Sequence, residues 1–210
     1  MKLHNRLILS TTLVTLLLCA LFISGKHVAV VHKDRSYTTE SREERTRKEE
    51  AVGLIVNRIR NKNVRLRDKE LKNIAEMVYD ESMRYNVDYR LVLAIMKIES
   101  NFKHDAVSHK GARGLLQVKP SCAKYIAPDA GVKWRGAKTL DEPTKNIKIG
   151  VHLFSTLVDD FQSINMALHA YHVGPTRLKE ILTEKKRPQK RYLNLVLDEY
   201  ERNVSILPPP

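Results

Sequence analysis

Cysteine is nearly absent from this chain of 210 residues: there are two, Cys19 and Cys122. Cys19 lies inside an apolar run, so the remainder has a single thiol and no internal disulfide can hold it. Leu16, Leu17 and Leu18 precede Cys19 where a lipid-attachment site would need small residues. Tryptophan occurs once, at Trp134, and a lone Trp is as readily a core plug as a stacking platform. His104, His109, His152, His169 and His172 fall in no ligand spacing such as H-E-x-x-H, so no metal is expected, and no cofactor motif is present. Internal repeats and convincing strand patterns are also missing. With 42% hydrophobic and 29% charged residues the composition excludes global disorder, and the length suits one folded unit better than two.

The first 25 residues stand apart. Lys2 and Arg6 precede a run from Leu7 to Ile23 without a charged side chain, near the lower limit of the ~20 residues that span a bilayer. Residues 1–25 read as a signal peptide or transmembrane anchor. Ser24 and Gly25 are small, but no A-x-A pattern marks a cleavage site, and the basic flank favours a cytoplasmic N-terminus. The rest is then extracytoplasmic, periplasmic in a bacterium, and tied to the inner membrane or exported. Without these 25 residues, 35 Lys and Arg stand against 24 Asp and Glu, which points to an anionic partner. Export and the lack of a recognition motif argue against nucleic acid.

Residues 26–67 read as a charged helical stalk, with Arg42, Glu43, Glu44, Arg45, Arg47, Lys48, Glu49 and Glu50 as a solvated cluster. Val52, Ile55, Val56 and Ile59 recur at helical spacing, so its second half is an amphipathic helix suited to dock on the domain or on another protein. A compact domain over 68–203 is expected to open with Asp68 capping a helix that carries Leu71, Ile74, Ala75, Val78 and Met83. Asp88 caps the next helix. Further helical patterns cover Pro120 to Ile126, Glu142 to Phe161, Ile164 to Tyr171, Pro175 to Leu182 and Lys190 to Tyr200, punctuated by glycines. Residues 204–210, ending in three prolines, read as a frayed tail. The fold class is all-α.

Val92, Ile95 and Met96 form an apolar stripe, and Glu99 follows them by seven, four and three positions. An isolated Glu near a helix end is usually a surface residue. A carboxyl continuing an apolar face is partly desolvated instead, which disfavours its charged form and suits it to donate a proton near neutrality. Asp105 follows six residues on, as a solvated loop residue rather than a second acid. Downstream, Ser108 to Gln117 reads as a tight glycine loop entering a short apolar element; alone it is equally a plain turn.

Together these blocks resemble the lytic transglycosylase family named for the soluble transglycosylases and related to goose-type lysozyme. Glu99-Ser100-Asn101-Phe102 is similar to its E-S-x-F/W block. Ala106-Val107-Ser108, Gly111-Ala112 and Gly114-Leu115-Leu116-Gln117 are similar to A-x-S…G-A-x-G-L-M-Q. Pro120, then Pro143, Asn146 and Gly150, and Ala170-Tyr171 with Gly174-Pro175 follow in family order, and Tyr192 fits a late tyrosine; the likeness spans about residues 70 to 201. Three positions depart from the pattern: His172 replaces the usual Asn, Lys119 an apolar residue, and Cys122 the commoner Thr.

The resemblance implies a lysozyme-like fold with a groove for peptidoglycan glycan strands. It implies Glu99 as a single acid/base that cleaves the MurNAc–GlcNAc bond without water and leaves anhydro-muramic acid ends. It further implies Ser108, Gln117, Tyr171, His172 and Tyr192 as substrate-binding residues, with Leu116 lining the groove. The face shared by Ile164, Ala167, Leu168 and Tyr171 equally permits a core tyrosine. Two alternatives belong to other classes: a lysozyme-type hydrolase, which needs a second carboxylate, and a non-catalytic wall-binding scaffold, which the anchor and stalk would suit.

Overall fold

The computed structural model describes residues 42–60 and 66–210. The apolar run and the first part of the stalk lie outside the described residues. The chain divides into two units, residues 1–48 and 49–210. Of the first, residues 42–48 are described and are helical, with the Thr46 hydroxyl donating to the Arg42 carbonyl. Among the described residues no helix is long and apolar enough to cross a membrane.

The regular structure of the second unit is helical among the described residues. Residues 49–60 form α1, followed by α2 (Asp68–Arg84), α3 (Tyr89–Ser100), α4 (Pro120–Ile126), a 3-10 turn (Ala137–Asp141), α5 (Pro143–Phe161), α6 (Ile164–Val173), α7 (Pro175–Thr183) and α8 (Arg191–Ile206). Among the described residues there is no strand, only two isolated bridges, Val107 with Arg113 and Arg113 with Val118, inside the loop between α3 and α4.

α3 is the axis of the domain. Its residues Leu91 to Met96 are all buried, which is what a helix apolar on every side requires. The Asp88 carboxylate caps it by accepting from the Arg90 N–H at 2.8 Å. α8 packs along α3, while α2 lies against α5 and α5 against α6. Residues 49–60 share this core through Ala51, Val52, Ile55 and Ile59. The Arg58 guanidinium pairs with Glu199, itself 3% exposed, and donates to Asn203 at 2.9 Å. Asn203 in turn donates to the Arg90 carbonyl at 2.8 Å, so the polar groups of α1, α8 and α3 satisfy one another.

Two local expectations are corrected. Asp68 is the first residue of α2 and not its cap: the Glu70 carboxylate reaches back to accept the Arg67 N–H at 3.0 Å, and Asp68 pairs with Arg60. Nor is the C-terminal tail frayed. α8 continues to Ile206, Leu207 is 5% exposed in the core, and the Tyr89 hydroxyl donates to the Pro208 carbonyl at 2.6 Å. Deleting residues 207–210 removes a buried leucine and leaves a phenol without its acceptor. The expected loss is about 2–4 kcal/mol of unfolding free energy, read as a lower urea midpoint with the slope nearly unchanged.

Candidate active site

Glu99 occupies the last turn of α3, one residue before the helix ends at Ser100. Asn101 and Phe102 both take left-handed backbone angles, φ 52° and 62°, which end the helix and turn Phe102 wholly into the core. Ser100 is buried and its hydroxyl lies 2.8 Å from the Leu115 carbonyl and 3.1 Å from that of Met96, tying the end of α3 to the following loop. The Glu-Ser-Asn-Phe sequence thus places a carboxyl at a fixed exit point between helix and loop.

Two tyrosines from distant parts of the chain converge there. The Tyr192 hydroxyl, at the start of α8, donates to Glu99 Oε1 at 2.7 Å. The Tyr171 hydroxyl, near the end of α6, donates to the Leu116 carbonyl at 2.7 Å, with its ring edge-on to Phe154. His172 lies flat on Tyr192, ring centroids 4.2 Å apart and planes 11° from parallel. Burial pushes the Glu99 carboxyl above its ordinary 4.5; the Tyr192 hydrogen bond, which favours the anion, opposes this without cancelling it. Both phenols are held well above 10, first by burial and then by the Glu99 charge, so they remain neutral donors.

The loop between α3 and α4 is built to hold its shape. The Ser108 Oγ accepts from the Ala112 N–H at 3.0 Å. Gln117, itself left-handed at φ 47°, spends both amide protons on the Ala106 and Gly114 carbonyls, each at 3.0 Å. Leu116 is 2% exposed and packs on Gly150 of α5, where an added Cβ would stand 2.5 Å from its side chain. Its side chain therefore offers a sugar almost no surface, and its carbonyl is the part that joins the site.

Beneath this loop sits a residue the sequence pattern assigned no role. Asn146 on α5 is fully buried; its Oδ1 accepts from the Leu116 N–H at 2.9 Å, and its amide donates to the carbonyls of Arg113 at 2.9 Å and Leu140 at 3.1 Å. The available signal was a polar residue on the same face as Ile149 and Gly150. Gly114, at φ 76°, lies so close that a Cβ would stand 2.2 Å from the Asn146 amide nitrogen. Arg113 clamps the loop edge with a two-pronged pair to Asp141 at 2.6 and 2.8 Å.

Of the residues expected from sequence, Glu99, Tyr192, His172, Tyr171 and the Leu116 carbonyl meet. Ser108 and Gln117 shape the adjoining loop, whose Lys110 lies near enough to influence His172. Among the described residues no group of three or more His, Cys, Asp or Glu could hold a metal ion. The arrangement can hold one carboxyl protonated beside a neutral donor, which is the equipment for transferring a proton.

The family model "Transglycosylase SLT domain" matches residues 76–194. A transglycosylase of Enterobacteria phage PRD1 is 32% identical over 122 residues, 58% of this chain and 43% of that protein. The membrane-bound lytic murein transglycosylase C of Edwardsiella ictaluri is 38% identical over 97 residues, 45% of this chain and 27% of that one. An inactive mutant of the lytic transglycosylase Slt from Pseudomonas aeruginosa superposes with a TM-score of 0.49 at 26% identity, over 62% of this chain and 22% of that one. The chain spans less than half the length of these relatives. With the family model covering more than half of its residues, the chain belongs to the transglycosylase SLT domain family.

Proposed function

We propose that the protein is a peptidoglycan lytic transglycosylase in which Glu99 alone performs the proton transfers. The observation that carries this reading is the Glu99 carboxyl, kept above its ordinary range by burial and touched by a phenol rather than by a second charge. Protonated Glu99 gives its proton to the glycosidic oxygen as the bond between MurNAc and GlcNAc breaks. The resulting carboxylate then takes the proton of the C6 hydroxyl while that oxygen bonds to C1, closing the anhydro ring and restoring the acid. Water enters neither step. Tyr192 steadies the carboxylate formed between them, and Ser108, Gln117, Tyr171 and His172 border the sugar path.

Location follows from the sequence. The apolar run from Leu7 to Ile23 serves as export signal or membrane anchor, and the net positive charge matches an anionic wall polymer. The charged helix ahead of the domain is the surface through which a wall-assembly protein would recruit the enzyme.

Mass spectrometry of fragments released from purified peptidoglycan tests the activity. Anhydro-muramic ends are expected; intact wall after incubation with the folded protein would leave a scaffold role. The pH profile is a separate check. Since the first step needs protonated Glu99, activity falls as pH rises through its elevated value, so the descending limb should lie clearly above 4.5. Tyr192→Phe removes the hydrogen bond that favours the anion and should move that limb higher still.

A further inference from the structure

α8 opens without a side-chain cap, and the seven residues before it, 184–190, form no helix and are largely exposed. Tyr192 is the second residue of that first turn, where helices open most readily. Its ring is buried, 7% exposed, and its hydroxyl meets Glu99 at 2.7 Å. One face of the ring is covered by His172, stacked on it at 4.2 Å and 11° from the last turn of α6, a helix fixed by the buried Ala167, Leu168, His169 and Ala170.

We propose that His172 is a positioning residue for Glu99: its imidazole, lying flat on Tyr192, holds that ring where the hydroxyl meets the carboxyl. The inference rests on the reading of Glu99 as acid and base. The groups facing the imidazole are Tyr192 from α8, Lys110 from the loop, and His169 one turn back on α6, on which Lys190 also acts. Burial first and Lys110 second hold His172 below its ordinary range, so at neutral pH the stack joins two uncharged rings. Burial and the Tyr192 hydrogen bond act on Glu99, and the Glu99 charge in turn helps to raise the Tyr171 phenol.

The test follows the Glu99 carboxyl carbon by NMR titration in protein carrying isotope-labelled glutamate, the signal being assigned by its loss in Glu99→Gln. His172→Ala frees the Tyr192 ring, weakens a hydrogen bond that favours the anion, and should raise the Glu99 midpoint by about half to one unit. His172→Phe restores a flat ring without a titrating nitrogen and should return the midpoint to that of the unmodified protein. Tyr192→Phe should raise it at least as far, and His172→Ala on that background should add nothing. An unchanged midpoint in His172→Ala or in Tyr192→Phe overturns the proposal, as does an equal shift in His172→Phe or an additive shift in the double variant. The titration needs no turnover: absence of glycan release by the unmodified protein would sink the transglycosylase reading and leave these midpoints standing.

Discussion

Glu99→Gln is expected to lower release of anhydro-muramic fragments by about 10³-fold or more, the scale at which a positioned acid/base contributes. The amide keeps the size of the carboxyl and can still accept from Tyr192, but it neither gives nor takes the proton. The fold should not suffer. Because burial raises the Glu99 carboxyl above its ordinary value, folding favours its protonated form. The stability linked to Glu99 is therefore greatest below the ordinary value and declines as pH rises through the elevated one. Above that window the charged carboxylate is a cost to the fold that a neutral amide avoids, so at neutral pH Glu99→Gln should melt no lower than the unmodified protein. A variant that lost activity and also melted well below it would indicate a structural role for Glu99 instead.

Asn146→Ala should show the opposite profile, losing stability first and activity as a consequence. Its three hydrogen bonds satisfy the Leu116 N–H and the carbonyls of Arg113 and Leu140; the Arg113 carbonyl keeps a second partner in the Val118 N–H at 3.1 Å, so the variant orphans the other two. With each buried orphan costing about 1–3 kcal/mol, the two together should cost about 2–6 kcal/mol. That is a large share of the stability of a domain this size. Circular dichroism against temperature or urea reads the loss. The Leu116 carbonyl would lose its fixed position as well, and with it the acceptor of Tyr171. Asn146→Asp retains the acceptor and, while protonated, one donor in place of two, so it should fall between Ala and Asn at acidic pH; ionised, it has no donor and adds a buried unpaired charge, and should be no more stable than Ala.

The sequence made the helices legible where apolar residues repeat over at least two turns. Val92, Ile95 and Met96 located α3, Asp88 announced its start, and the stripe carried Glu99 with it. Short and irregular pieces were not legible: five residues from Ala137 to Asp141 are too few for a period, and their role in meeting Asn146 depends on a fold that brings Leu140 back. Asp68 and Glu70 are both acidic residues in one first turn, and only geometry shows that Glu70 reaches the Arg67 N–H. The prolines at the end hid the anchoring of Leu207 and Pro208, because their composition says nothing about a phenol waiting on α3. At the site, the block resemblance named candidate residues without their relations. Tyr192 lies 93 positions from Glu99, and no periodicity links residues that far apart. Nor does residue type reveal that Gln117 spends its amide inside the loop or that Leu116 buries its side chain against Gly150.

The most direct measurement of the single-carboxylate account is digestion of purified peptidoglycan in water enriched in heavy oxygen, with mass analysis of the new glycan ends. If Glu99 activates the substrate's own C6 hydroxyl, each new end is an anhydro ring, one water lighter than a reducing end and free of label. New reducing ends that carry the heavy oxygen would contradict the account, since water would then be the nucleophile and a second group would have to activate it.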